Sequence, residues 1–173
     1  MKNIIKFFIG LLTFGGILIS FQSCHIHYGM VGGNLPIDVK TISVQHFPNY
    51  APLVNPSLSQ TFSEKLKDKF LSQTKLSLAE NNGDIRFEGS ITGYSTSPIS
   101  IQGNETAALN RLTISVSIKF TNTKDEKQNF ESAFSRFADY PSSQPLSSVE
   151  EELVRQISEQ LVDDIFNRAV VNW

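Results

Sequence analysis

A single cysteine and three histidines stand in a chain of 173 residues, and each scarcity closes off a chemistry. One cysteine, Cys24, cannot form an internal disulfide, so the folded part must rest on packing alone. His25 and His27 form an H-x-H pair, but only His46 is left as a third imidazole and no second cysteine or local acid completes a metal site. G-x-S-x-G, P-loop and H-E-x-x-H patterns are missing, so no catalytic residues, metal or cofactor are expected. Acids such as Asp163 and Asp164 read as a solvated helix face. An excess of positive charge is lacking too: 15 Lys+Arg face 17 Asp+Glu. That balance excludes a nucleic-acid binder with a broad basic face.

The one long apolar run lies at the start. Lys2 and Lys6 precede FFIGLLTFGGILISFQSC, Phe7 to Cys24, which carries no charge. Its apolar part is the length of a signal peptide and short of the roughly 20 residues that a spanning helix needs. Gly10, Gly15 and Gly16 weaken it further as a span, and Ser23 supplies a small residue before a cut. A cysteine directly after such a cut invites lipidation. The stretch resembles a bacterial lipobox, with Phe21 and Gln22 departing from its usual Leu and small residue. The expectation is a signal peptide over residues 1–23 and a lipid on Cys24. A flexible tether over 24–36, rich in glycine, would follow, then one domain over 37–173. Removing the leader leaves 13 basic against 17 acidic residues, the leader having two lysines and no acid.

Beyond the tether, residues 37–47 read as a first strand, with Ile42 and Val44 on one side of the alternation and His46 at its end. Asn55-Pro56 opens a helix whose Leu58, Phe62, Leu66 and Phe70 form one stripe, ending between Ser72 and Lys75. Residues 85–95 alternate again, with Ile85, Phe87, Gly89, Ile91 and Gly93 facing one way. A loop over 96–108 leads to RLTISVSIKF, residues 111–120, apolar on one face and polar on the other. Phe130 to Tyr140 is a less regular strand, and its phase predicts a bulge or an edge position. Ser147 with Glu150, or Ser148 with Glu151, predicts a capping box for a long final helix striped by Val149, Leu153, Ile157, Leu161 and Ile165.

The expected fold is therefore α/β of the α+β kind: a two-layer sandwich in order βαβββα. Two helices would cover one face of a four-stranded mixed sheet. The first two strands should be parallel and the later connections antiparallel. A hairpin centred near Gln102-Gly103 would set Arg86 opposite Lys119, and pairing across Asp125-Glu126 would bring Lys119 near Glu131. The open face would then carry Arg86, Lys119 and Glu131, with Arg111 further along. Adjacent cations need a counter-charge, from Glu131 or Glu88, or else receive an anionic ligand such as a phosphate.

The segment VKTISVQHFPNYAPLVNPSLSQTFSEKLKDKF, residues 39–70, the lipidated start, the strand run RLTISVSIKF and the final helix together resemble the LptE family. These are outer-membrane lipoproteins of lipopolysaccharide assembly, here in the form found in Bacteroidetes-type bacteria. The resemblance implies a two-layer α/β fold on the periplasmic side of the outer membrane. It implies a β-barrel partner, LptD, whose lumen the lipoprotein plugs, and lipopolysaccharide as the molecule the pair inserts into the outer leaflet. It fixes no binding residues. Without it, the residues alone fit a lipid-anchored periplasmic module for another envelope partner or glycan equally well.

Overall fold

The computed structural model describes residues 36, 38–53, 55–99 and 109–171. The leader, Cys24, the histidine pair and the centre of the predicted 96–108 loop lie outside them. The elements are β1 (Thr41–Val44), α1 (Leu58–Gln73), β2 (Ser77–Leu78), β3 (Ile85–Ile99), β4 (Leu109–Asn122), β5 (Phe130–Pro141) and α2 (Leu146–Phe166). A short 3-10 turn, Glu126–Gln128, joins β4 to β5, and a π-type turn, Asn167–Val171, prolongs α2.

The sheet has five strands, in order β2-β1-β3-β4-β5, not four. The extra strand is the two-residue β2, which pairs parallel with β1 through Thr41 and Ile42. Two residues carry no periodicity, which is why the alternation missed it. β1 and β3 are parallel, and β3, β4 and β5 run antiparallel, as the connections predicted. β1 is shorter than the predicted 37–47. After Val44 the chain leaves the ladder, buries Phe47, and touches β3 once more at a bridge between Asn49 and Ile91. His46 is exposed just past the end of β1.

On β4, Leu112, Ile114, Val116, Ile118 and Phe120 are at most 1% exposed, whereas every odd-numbered residue from Arg111 to Thr121 reaches solvent. Both helices therefore lie on the even-numbered face. α1 and α2 run parallel to each other: Lys65 meets Glu159, Lys69 meets Asp163 and Phe70 meets Phe166, so partners advance together. Beneath them a chain of aromatic contacts, Phe166–Phe70–Phe87–Phe120–Phe130, crosses the sheet with ring centroids 4.8–5.2 Å apart. Phe87, Phe120 and Phe130 are cross-strand partners in one rung. Edge and offset ring packing of this kind adds about 0.5–1.5 kcal/mol per pair beyond burial.

The strands differ from expectation in two details of phase. The bulge falls in β3, between Ile91 and Gly93, and β5 follows β4 without a slip along its whole length. β5 instead takes the edge position. The β3 bulge reverses the alternation, so Tyr94 turns into the core and Gly93 does not share the face of Ile91. The predicted capping box is also absent from α2. That helix starts at Leu146 behind Pro145, which puts Ser147 and Ser148 inside the first turn, and Ser148 Oγ donates back to the Pro145 carbonyl. Glu150 bonds to other elements instead.

Candidate functional site

The open face of the sheet is the surface that the helices leave free, and its side chains come in cross-strand rungs. At the end where β3 begins, Arg86 lies opposite Thr121, not Lys119; the hairpin closes between Ile99 and Leu109, which shifts the register from the one predicted. Lys119 lies opposite Glu88 on one side and Glu131 on the other. Its ammonium is 3.9 Å from Glu88, whose other oxygen accepts a 2.9 Å hydrogen bond from Gln45. The counter-charge that the sequence demanded is therefore Glu88, directly across the strand.

Arg86 has no carboxylate within ion-pairing distance among the described residues. Its Nη1 reaches Asn82 at a long 3.4 Å, and its Nε is buried without a hydrogen-bond partner among those residues. A buried guanidinium N–H left unpaired costs about 1–3 kcal/mol. One diagonal step separates Arg86 from Lys119, so these two cations share one end of the face.

Arg111 belongs to the other end, roughly 27 Å along β4 from Lys119 at about 3.4 Å per residue. Its guanidinium donates to both oxygens of Asp139, 2.7 Å from Nε and 2.9 Å from Nη2, and lies 3.5 Å above the ring of Phe137. Arg111 in turn holds the Asp139 carboxyl below the usual carboxylate range through that hydrogen bond. Between the two ends the rungs are small and hydroxylated: Ser90 with Ser117, and Ser115 with Ser135, whose hydroxyls are 2.9 Å apart.

Of the expected Arg86–Lys119–Glu131 ladder, Lys119 and Glu131 are cross-strand partners, while Arg86 is a diagonal neighbour of Lys119 and not its partner. Arg86 and Lys119 stand together, and Arg111 stands apart and neutralised. Phe137 and Asp139 had shown only as an irregular strand. Their signal was present in the alternation, because both fall on the same side of β5 as Glu131. Cys24 lies outside the described residues.

Two further features position this face. Asp84, at the start of β3, accepts hydrogen bonds from the Lys40 and Thr41 backbone N–H groups and the Thr41 hydroxyl at 2.9–3.0 Å. Those donors, led by Lys40 N–H and joined by Lys124, hold its carboxyl far below the ordinary value. At the opposite end of the sheet, Glu150 accepts from Asn55 Nδ2 at 2.8 Å and from the Tyr94 hydroxyl. Burial, then the adjacent Glu150 carboxylate, push the Tyr94 phenol above its usual value. Among the described residues, no three His, Cys, Asp or Glu side chains converge as a metal site. No described helix is long and apolar enough to cross a membrane.

No curated protein matches the chain. Several solved structures are similar to it. A minor lipoprotein from Acinetobacter baumannii superposes with a TM-score of 0.51 at 14% identity, over 75% of this chain and 91% of that one. The rare lipoprotein B from Shewanella oneidensis gives 0.43 at 17% identity, over 74% and 92%. A lipoprotein B from Nitrosomonas europaea gives 0.43 at 14%, over 78% and 88%. At 14% identity the likeness to the Acinetobacter baumannii protein is one of architecture alone. The family model of LptE, described as lipopolysaccharide-assembly, matches residues 39–169, from the approach to β1 into the π-type turn. The chain belongs to the LptE lipopolysaccharide-assembly family.

Proposed function

We propose that this protein is a non-catalytic lipoprotein of the outer membrane, held on the periplasmic side by a lipid on Cys24. In this reading residues 1–23 are removed, residues 24–36 form the tether, and the domain from residue 37 onwards partners a β-barrel of the LptD type. It plugs the barrel lumen and assists the passage of lipopolysaccharide to the outer leaflet. The family match over residues 39–169 is the observation that carries this reading. A domain whose sheet presents charged and hydroxylated rungs on an uncovered face also suits the polar interior of a barrel. Tethering would raise the effective concentration of the domain at its partner.

On that face Arg86 is the group to receive an anionic part of the lipid, such as a phosphate, because its guanidinium has no carboxylate partner among the described residues. Lys119 flanks it, already drawn toward Glu88. Arg111 is the least suited of the three, since an anion would have to displace Asp139.

Extraction in mild detergent followed by affinity capture tests the partnership. Recovery of an outer-membrane barrel with the protein, and a drop in surface lipopolysaccharide on depletion, are the expected results. Capture of the protein alone, with surface lipopolysaccharide unchanged on depletion, would overturn the reading. Labelled palmitate should enter the protein and fail to enter Cys24→Ala.

A further inference from the structure

The Arg111 end of the open face has a composition unlike the Arg86 end. Two adjacent rungs define it: Ser97–Arg111–Asp139 and Ser95–Thr113–Phe137. Arg111 and Asp139 cancel each other's charge in a two-point ion pair. Phe137 is 46% exposed on an edge strand, although a large aromatic there gains nothing from the core. Ser95 and Ser97 are exposed beside it, because β3 runs on past the bulge with its side chains in solvent.

We infer that this end of the sheet is a binding site for an uncharged saccharide. The chemistry selects that ligand class. A sugar offers hydroxyls that both donate and accept, and apolar C–H faces that lie against an aromatic ring. Asp139 keeps free lone pairs as an acceptor, and Arg111 keeps the Nη1 N–H groups that the ion pair does not use. Serine and threonine hydroxyls on the neighbouring strands supply either role. Phe137 supplies the apolar surface, with one side of its ring already covered by Arg111 and the rest open.

Anions are disfavoured for a physical reason. A phosphate taking the Nε/Nη2 fork would have to displace Asp139, and one held at Nη1 alone would sit beside a carboxylate of like charge. A neutral hydroxylated ligand leaves the pair intact. Because the surface is flat, a single repeat unit would bind on the order of millimolar, and repetition along a polymer would strengthen the hold. Arg86 and Arg111 would then receive different parts of one amphiphile, charged at one end of the face and saccharide at the other.

This inference rests on the lipopolysaccharide reading for its choice of probe. The polysaccharide portion, released from lipopolysaccharide by mild acid and freed of phosphate, is added to the full chain while amide resonances are followed. Ser95, Ser97, Arg111 and Phe137 should shift with the polysaccharide and not with the lipid A fraction. Phe137→Ala should weaken binding at least tenfold, and Phe137→Trp should retain it. Phe137 is exposed, so both variants should fold, and thermal melting checks that they do. If the polysaccharide moves none of these resonances while barrel capture persists, this site is wrong and the family role stands. Should only the lipid A fraction move them, the site is an anion site and the inference fails. Loss of both polysaccharide binding and barrel capture would remove the two readings together.

Discussion

Glu150 and Asn55 share a 2.8 Å hydrogen bond that ties the heads of both helices together. Asn55 Oδ1 meanwhile accepts from the backbone N–H groups of Ser57 and Leu58, so the side chain that caps α1 also grips α2. Tyr94, turned inward by the β3 bulge, donates to the same Glu150 oxygen and adds the sheet to the joint. The helices are parallel, so both N-termini lie at this end, where a carboxylate is favoured by their partial positive charge.

Glu150→Ala leaves two buried donors, Asn55 Nδ2 and the Tyr94 hydroxyl, without their acceptor. The expected loss is about 2–3 kcal/mol in urea unfolding. Tyr94→Phe removes donor and need together and should cost about 1 kcal/mol. Alkaline pH acts through the same joint. The Tyr94 phenol titrates higher in the folded state than in the unfolded chain, so folding favours its protonated form. Its contribution is complete below an ordinary tyrosine value of about 10 and falls as pH rises above it. Melting curves taken through that range should decline less steeply in Tyr94→Phe.

Asp84 gives the opposite sign at the acid end. Its carboxyl titrates lower in the folded protein, because Lys40 N–H, the Thr41 hydroxyl and Lys124 favour the charged form. The stabilisation is present above an ordinary aspartate value of about 3.9 and is lost as pH falls below it. Asp84→Asn should lower the melting temperature at pH 7 and flatten its decline between about pH 5 and pH 2. The carboxylate is partly open to solvent, so the loss at neutral pH should be about 1 kcal/mol.

Long elements with a clear period were legible in the residues: the stripe of α1, the alternation of β4 and the stripe of α2 all lie where their apolar spacing put them. Three things were not. β2 owes its existence to the β1 edge and has no pattern of its own. The β3 bulge inserts one residue, which moved Tyr94 from the polar side to the core, and the place where the β3–β4 hairpin closes set Arg86 opposite Thr121 in place of Lys119. Glu150 has the spacing of a capping box, but Pro145 starts the helix earlier and frees the side chain for Asn55 and Tyr94. In each case a contact between distant segments decided the outcome over a local rule. The same limit governed the open face: cation identity was readable, but whether Arg111 was free depended on Asp139, 28 residues later.

Gly89 sits where the sheet tolerates no side chain. Its φ is +154°, and a Cβ there would lie 2.0 Å from the Ser117 carbonyl oxygen and 2.9 Å from the Phe47 ring. Both obstacles are fixed, one by the β3–β4 ladder and one by burial. Backbone strain of this kind costs about 1–3 kcal/mol, and the overlap with Ser117 adds to it. Gly89→Ala should therefore unfold at markedly lower urea than the parent, or accumulate only as insoluble protein. A midpoint within error of the parent would show that the two strands separate easily here.

Ser158 tests packing from the other direction. It is fully buried on α2, and its hydroxyl has no hydrogen-bond partner among the described residues. Its neighbour Glu159 pairs with Lys65 of α1, so it lies level with the middle of that helix. Ser158→Ala removes an unsatisfied polar group and keeps the volume, so stability should hold or rise by about 1 kcal/mol. Ser158→Leu should destabilise by about 1–3 kcal/mol through overpacking. Urea unfolding of the two variants side by side separates these terms.

Charge at the Arg86 end bears most directly on function. Arg86→Gln keeps much of the side-chain length and removes a cation that has no carboxylate partner among the described residues, so the fold should lose little. Lys119→Gln removes a cation that Glu88 already attracts, and releases that carboxylate. If phosphate groups of lipid A are received here, Arg86→Gln should weaken binding to a lipid A vesicle about tenfold or more. That is the range for losing one charge-assisted contact. Lys119→Gln should weaken it two- to threefold. Adding salt should shrink the first difference, because the contact is electrostatic and partly exposed. Equal affinities across parent and both variants at low salt would exclude this end of the sheet as the anion site and move the search to the loops.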